Sequence, residues 1–199
     1  MTAITSKTIM GKDGDVLMAG RTGSDGIFRP VHHSDIQIVQ VEMIRVADAI
    51  AYASGDVIGA NVALNTSVLF EFNLGARGIG AGLIVSSRLI RNSILNNSVR
   101  FRASFHDDVP AVLPAGDNAP GPLLYANVAT RRGWADFTNP MTGDAVSSDC
   151  LEYAGVLNSP QGIPFNLAAD GKLRAMLGIR DAATLASAEK LTLEVGVVV

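Results

Sequence analysis

An all-β fold, an antiparallel β-sandwich or closed barrel of about 8–10 strands, is what the sequence predicts. Three observations predict it. Strict two-residue alternation of apolar and polar side chains runs through Val99–Phe105, through Leu173–Ile179 and again through Leu191–Val199. Turn-forming Gly, Pro, Asn and Asp separate most of the apolar runs. Helical periodicity is nearly absent, and only 181–189 has helix-forming composition, for two turns at most.

Taken in order, residues 1–35 read as an extended arm. Gly11, Gly14, Gly20, Gly23 and Gly26 recur among Asp, Ser and Thr with no strand period sustained, so the arm is expected to order against a partner. The sandwich domain is expected over 36–199. Its first strand, Ile36–Val46, carries an apolar phase that slips near Val39, as a bulged or bent strand would. Val57-Ile58 follows the turn Ser54-Gly55-Asp56, and Val68, Phe70 and Phe72 alternate with Leu69 and Glu71. Leu83-Ile84-Val85 reads as a strand buried on both faces. Leu123–Val128 and Leu151–Leu157 are weaker strands. In 172–180, Lys172, Arg174, Met176 and Arg180 take the face opposite Leu173, Ala175, Leu177 and Ile179. Two long loops remain, Asp107–Pro122 with four prolines and Arg131–Asp149 with Trp134. Loops of that length in a compact domain are usually functional or ordered by a partner.

Composition narrows the function classes. The 199 residues are 48% hydrophobic and 18% charged, with a net charge of −3. That excludes an intrinsically disordered chain, and no global positive charge points to nucleic acid. Cys150 is the sole cysteine, so an intrachain disulfide, a redox pair and a cysteine zinc cluster are all excluded, and a buried apolar role is expected for it. The N-terminus lacks the apolar core of a secretion signal, and no run nears the roughly 18 apolar residues of a membrane helix. A soluble protein without membrane or nucleic-acid partners is expected.

Catalytic and metal motifs are weak. Gly78-Ile79-Gly80-Ala81-Gly82 lacks the Lys-Ser/Thr ending of a phosphate loop and precedes a strand, where a dinucleotide fingerprint would follow one. His32 and His33 are adjacent, so on a strand they point to opposite faces and do not share a metal. No Gly-x-Ser-x-Gly elbow supports a nucleophilic serine. No cofactor, metal site or enzymatic activity is expected.

Charge is unevenly laid out. The lysines are Lys7, Lys12, Lys172 and Lys190, and 74–105 holds Arg77, Arg88, Arg91, Arg100 and Arg102 without a single acid. Arginine suits bidentate contact with carboxylates and phosphates, so this stretch is either a partner-facing surface or a sheet face balanced by acids elsewhere in the fold. Trp134, beside Arg131 and Arg132, reads as a core cap, an interface anchor or a stacking platform for a ligand.

The order of segments resembles a known group. Tyr52-Ala53-Ser54-Gly55-Asp56-Val57-Ile58-Gly59 precedes Gly80-Ala81-Gly82-Leu83-Ile84-Val85-Ser86-Ser87-Arg88-Leu89. The alternating Arg100–Phe105, then Asp117-Asn118-Ala119-Pro120, then a closing hairpin ending in Leu191–Val195 complete the series. Over roughly 45–199 the chain resembles the small virion proteins encoded with the head genes of tailed bacteriophages. The resemblance implies a jelly-roll capsid decoration (cement) protein, often trimeric, bound to the major capsid protein on the virion surface and made in the host cytoplasm. Contact residues expected on this reading are Arg21, Phe28 and Arg29 in the arm, Arg88, Arg91, Arg100 and Arg102, and then Arg131, Arg132 and Trp134. Two rivals differ in class. One is a tail-fibre or spike domain that binds a cell-surface glycan, with Trp134, Phe137, Tyr125 and Tyr153 as its available aromatics. The other, a cupin-like enzyme, needs a cluster of metal-binding histidines that three His hardly supply.

Overall fold

The computed structural model describes 4–11, 14–22 and 28–30 by backbone alone, and 36–60, 68–95, 98–121, 127–140 and 150–199 in full. The chain divides into two compact units, Met1–Ile36 and Gln37–Val199. The first holds three antiparallel strands in chain order, β1 (Ile4–Gly11), β2 (Gly14–Thr22) and β3 (Phe28–Pro30). Gly11 pairs with Gly14 across a two-residue connection and Ile4 pairs with Arg21. The sequence reading found no strand period here.

In the second unit the long strands are β4 (Gln37–Ile44), β6 (Leu69–Asn73), β7 (Ala81–Arg91), β8 (Phe101–His106) and β9 (Arg131–Phe137). They continue with β10 (Leu151–Ala154) and β12 (Ile163–Asn166), then β13 (Lys172–Ile179) and β15 (Lys190–Val198). Two-residue strands β5 (Ala51–Tyr52), β11 (Val156–Leu157) and β14 (Ala183–Thr184) fill gaps between them. One sheet runs β10-β7-β15-β4, with β12 also on β7, and the other β11-β9-β8-β13-β6. The pairs β4/β15, β6/β13, β7/β10 with β12, and β8/β9 are all antiparallel. First pairs with last, second with second-last, and so on inward, and successive pairs alternate between the sheets. That order is a jelly roll, the all-β sandwich that the sequence predicts.

The core fills the space between the sheets. Phe70, Phe72, Phe101, Phe105, Phe137 and Tyr153 are fully buried, as are Leu191, Leu193, Val195 and Val197. Small residues face large ones (Ala103, Ala135 and Ala175 lie among the phenylalanines), and Phe101 meets Tyr153 edge to face at 5.7 Å. Each such side chain contributes about 1.5–3 kcal/mol through burial.

Several sequence expectations are corrected. The phase slip near Val39 is no bulge: β4 pairs with β15 in unbroken register, and Ile38 and Ile44 simply face solvent. The bulge lies in β7, where Val197 pairs with Ile84 and Gly196 with Ser86, so Val85 is skipped. It brings both Ile84 and Leu89 to the core and leaves Leu83 and Val85 only half-buried, so Leu83-Ile84-Val85 is not buried on both faces. Residues 131–137, read as loop, form β9, which Gly133 obscured in the pattern, while 141–149 lie outside the described residues. Val57-Ile58 makes an isolated bridge to Gly178 rather than a strand, and 123–126 of the expected strand Leu123–Val128 lie outside the described residues. Segment 181–189 is not helical. Leu185 enters the core and Glu189 turns inward to Arg91, a burial that outweighs local propensity.

Candidate functional site

The outer face of the β9-β8-β13-β6 sheet is built by the polar phase of its strands. β8 sends out Arg102, Ser104 and His106, and β13 sends out Arg174, Met176 and Gly178, with Arg180 just beyond its end. Register sets Gly178 opposite Arg102 and Met176 opposite Ser104. On the other side of β8, Asp136 stands opposite Arg102 and Trp134 opposite Ser104. The ladder then skips Arg132, so that Arg131 pairs with His106. Such a bulge re-aims side chains. Here it brings Arg131 to the outer face, while Arg132 Nε donates to the buried Asp107 at 2.5 Å.

Residues 107–121 are held against this face by the chain itself. Val57, Val68, Leu69 and Met176 form a small second apolar cluster, closed by Leu113. Two segments singled out by the resemblance meet here. Asp117 Oδ1 accepts from the Tyr52 hydroxyl and from Gly59 N–H, both at 2.6 Å. Val57 N–H donates to Ala119 O, Asn118 N–H to Val57 O, and Gly121 N–H to Gly55 O. Arg45, fully buried, donates from Nε to the Tyr52 hydroxyl at 2.6 Å and from its Nη atoms to Asp48 and to the carbonyl of Ala186. Burial, then the bond to Asp117, pushes the Tyr52 hydroxyl far above its usual range, so it stays a donor. Gly59 allows the close approach: a Cβ there would lie 3.0 Å from Asp117 N. The spacing of these motifs is the spacing of a latch.

Between latch and sheet opens a cavity of about 110 Å³ lined by Arg102, Ser104, His106, Arg131, Met176 and Arg180. Gly55, Gly121 and Gly178 also line it. Arg102 grips Asp136 with two bonds of 2.7 and 2.8 Å and lies 5.0 Å over the Trp134 ring. Arg131 and Arg180 have no side-chain ion pair among the described residues. Burial, and then the nearby charge of Arg131, push the His106 imidazole down to about 4, so it is neutral at physiological pH. Among the described residues, none that lines this cavity is acidic.

The remaining expected contact residues scatter. Arg88 faces outward on the opposite sheet, held by Glu152 at 3.1 Å and Glu194 at 3.0 Å. Arg91 is fully buried, with Nε on Glu189 at 2.7 Å, so it is no surface contact. Arg100 is bound by Asp181, whose carboxyl it pulls down to about 2. Four of the five arginines in the acid-free stretch are thus matched by acids from distant segments, Arg77 instead donating to the Ile38 carbonyl, and only Arg102 of the five lines the cavity. Trp134 does not cap the core. Its neighbours Gly133 and Ala135 face inward, and the indole lies half-buried on the outer face. For Arg21, Phe28 and Arg29 only backbone placement is described: Arg21 pairs with Arg29 and Thr22 with Phe28. Cys150 is half-buried, its thiol pushed up by burial. Among the described residues no cluster has the makings of a metal site; His32 and His33 lie outside them. Sequence reasoning assigned no site role to Ser104, His106 or Arg180. Their strand phase was readable, but not which strands stand side by side.

No protein-family model matches the chain, and no curated protein is similar to it in sequence. Among solved structures, a chain of the native virion of Kashmir bee virus at neutral pH is similar over 99% of this chain and 91% of that one. The identity is 9% and the TM-score 0.29, values at which the likeness carries no argument.

Proposed function

We propose that this chain is a non-catalytic structural protein of a tailed-bacteriophage virion, a capsid decoration protein that binds the outside of the major capsid shell and stabilises it. The observation that carries the reading is the meeting of Tyr52–Gly59 with Asp117–Pro120 on a jelly roll. Two of the five segments behind the resemblance form one physical unit, tied by Tyr52, Gly59 and Asp117. Jelly rolls also serve lectins and cupins, so fold alone supports no single role. The partners on this reading are the major capsid protein and further copies of the chain, as a trimer, with no nucleic acid and no membrane. Many copies on one shell gain avidity through effective concentration.

The test is co-sedimentation of the purified chain with expanded capsids lacking it. Saturable binding, with capsids that then resist heat, is expected. Failure to bind, or immunogold labelling of tails instead of heads, overturns the reading in favour of host recognition. Equal binding without residues 1–35 removes Arg21, Phe28 and Arg29 from the contact.

A further inference from the structure

The cavity under the latch combines features that a purely structural depression does not need. Its lining is cationic, and among the described residues two of its arginines, Arg131 and Arg180, close no ion pair, whereas Arg45, Arg88, Arg91, Arg100, Arg102, Arg132 and Arg174 do. The charge of Arg180 reaches Asp181 without a contact, so both guanidinium groups keep their donors for a bound anion. Guanidinium forks match carboxylate geometry, and Ser104 adds a hydroxyl donor. Val57, Met176 and Ile179 supply apolar lining, and Gly178 adds no side chain. Apolar lining beside guanidinium groups fits a carboxylate on a short aliphatic stem better than it fits a bare phosphate. At about 110 Å³ the cavity is well below the roughly 300–1,000 Å³ of pockets that enclose whole ligands, and suits one side chain.

We infer that this cavity is a socket for an acidic side chain, a glutamate or aspartate presented by a neighbouring polypeptide, with its carboxylate between Arg131 and Arg180 and its methylenes on Met176 and Val57. The inference rests on the reading of the chain as a shell-binding protein only for the source of that polypeptide. The socket itself is tested on the isolated chain.

The only tryptophan, Trp134, lies under Arg102, which lines the cavity, so a shift of Arg102 on occupancy is read in its fluorescence. The full-length chain is titrated with N-acetylglutamate amide as the peptide-borne group, N-acetylglutamine amide as its neutral isostere, free glutarate, and inorganic phosphate. Saturable change with the glutamate derivative is expected, with the glutamine derivative at least about tenfold weaker, because a charge-assisted pair is lost. Arg131→Gln with Arg180→Gln should weaken the glutamate derivative by about tenfold or more, while Arg77→Gln, outside the cavity, leaves it unchanged. If the double variant does not fold, Arg180→Gln alone, at the exposed end of its strand, should still weaken binding severalfold. Equal binding of the glutamine derivative, tighter binding of phosphate, tighter binding of glutarate than of the peptide-borne group, or no change in the arginine variants overturns the socket. Loss of capsid binding with intact titration would overturn the virion reading and leave the socket standing.

Discussion

The two sheets carry the same alternation and treat their outer faces differently. On the β10-β7-β15-β4 sheet the outward residues include Arg88, Glu194, Thr192, Glu42 and Lys190, paired across strands, with Ile38 and Ile44 exposed beside them and no chain segment covering them among the described residues. On the other sheet the outward residues include Met176 and Leu69, which the chain must cover, and β13 is buried almost throughout. The covered face needs a latch, and the latch leaves a cavity at its edge. Ion pairs on the open face are exposed and exchange easily with solvent. The Arg45–Tyr52–Asp117 network is buried, and there an unpaired partner is costly.

The largest effect that would break this contrast is Asp117→Ala. It strips the acceptor from Tyr52 and Gly59 and takes the Asp117 carboxylate away from the buried Arg45. A loss of about 2–4 kcal/mol in urea unfolding is expected; a loss below about 1 kcal/mol would mean that the latch does not hold the cover. Next comes pH. His106 in the folded chain titrates near 4 against 6.5 when free. Between those values the unfolded chain binds the extra proton, so stability should fall by a few kcal/mol as pH drops from 6.5 to 4. His106→Gln should flatten that slope in thermal melts, and an unchanged slope would count against the burial of His106. Gly121→Ala is expected to cost about 1–3 kcal/mol, since its Cβ would stand 2.8 Å from the Gly55 carbonyl. The smallest effect belongs to the open face: Arg88→Ala should cost about 1 kcal/mol or less, because Glu152 and Glu194 remain partly solvated. A larger loss would erase the distinction between the faces.

Legibility follows the same division. β15 alternates strictly because one of its faces meets core and the other water, so its pattern reads directly. β13 was readable in phase, but Met176 and Arg174 on its outer side are buried by segments far away in the chain. β9 was missed because Gly133 and Ala135, small enough to fit beneath the core aromatics, carry little apolar signal. The cavity was not legible at all. Arg102, Arg131 and Arg180 come from three strands or strand ends, and the bulge that turns Arg131 outward leaves no mark in the sequence.

By itself the sequence determined the all-β class, the inward phase of the central and last strands, and the pair of motifs at Tyr52–Gly59 and Asp117–Pro120. All of these depend on local periodicity or on runs of adjacent residues. Only the tertiary structure decided that four of the five acid-free arginines meet distant carboxylates, that Arg91 is buried, that the proline-rich loop covers a sheet, and that Arg131 and Arg180, without an ion pair among the described residues, line one cavity. Those are matters of which strands lie next to each other, and strand pairing across more than a hundred residues is set by how the whole core packs rather than by any segment alone.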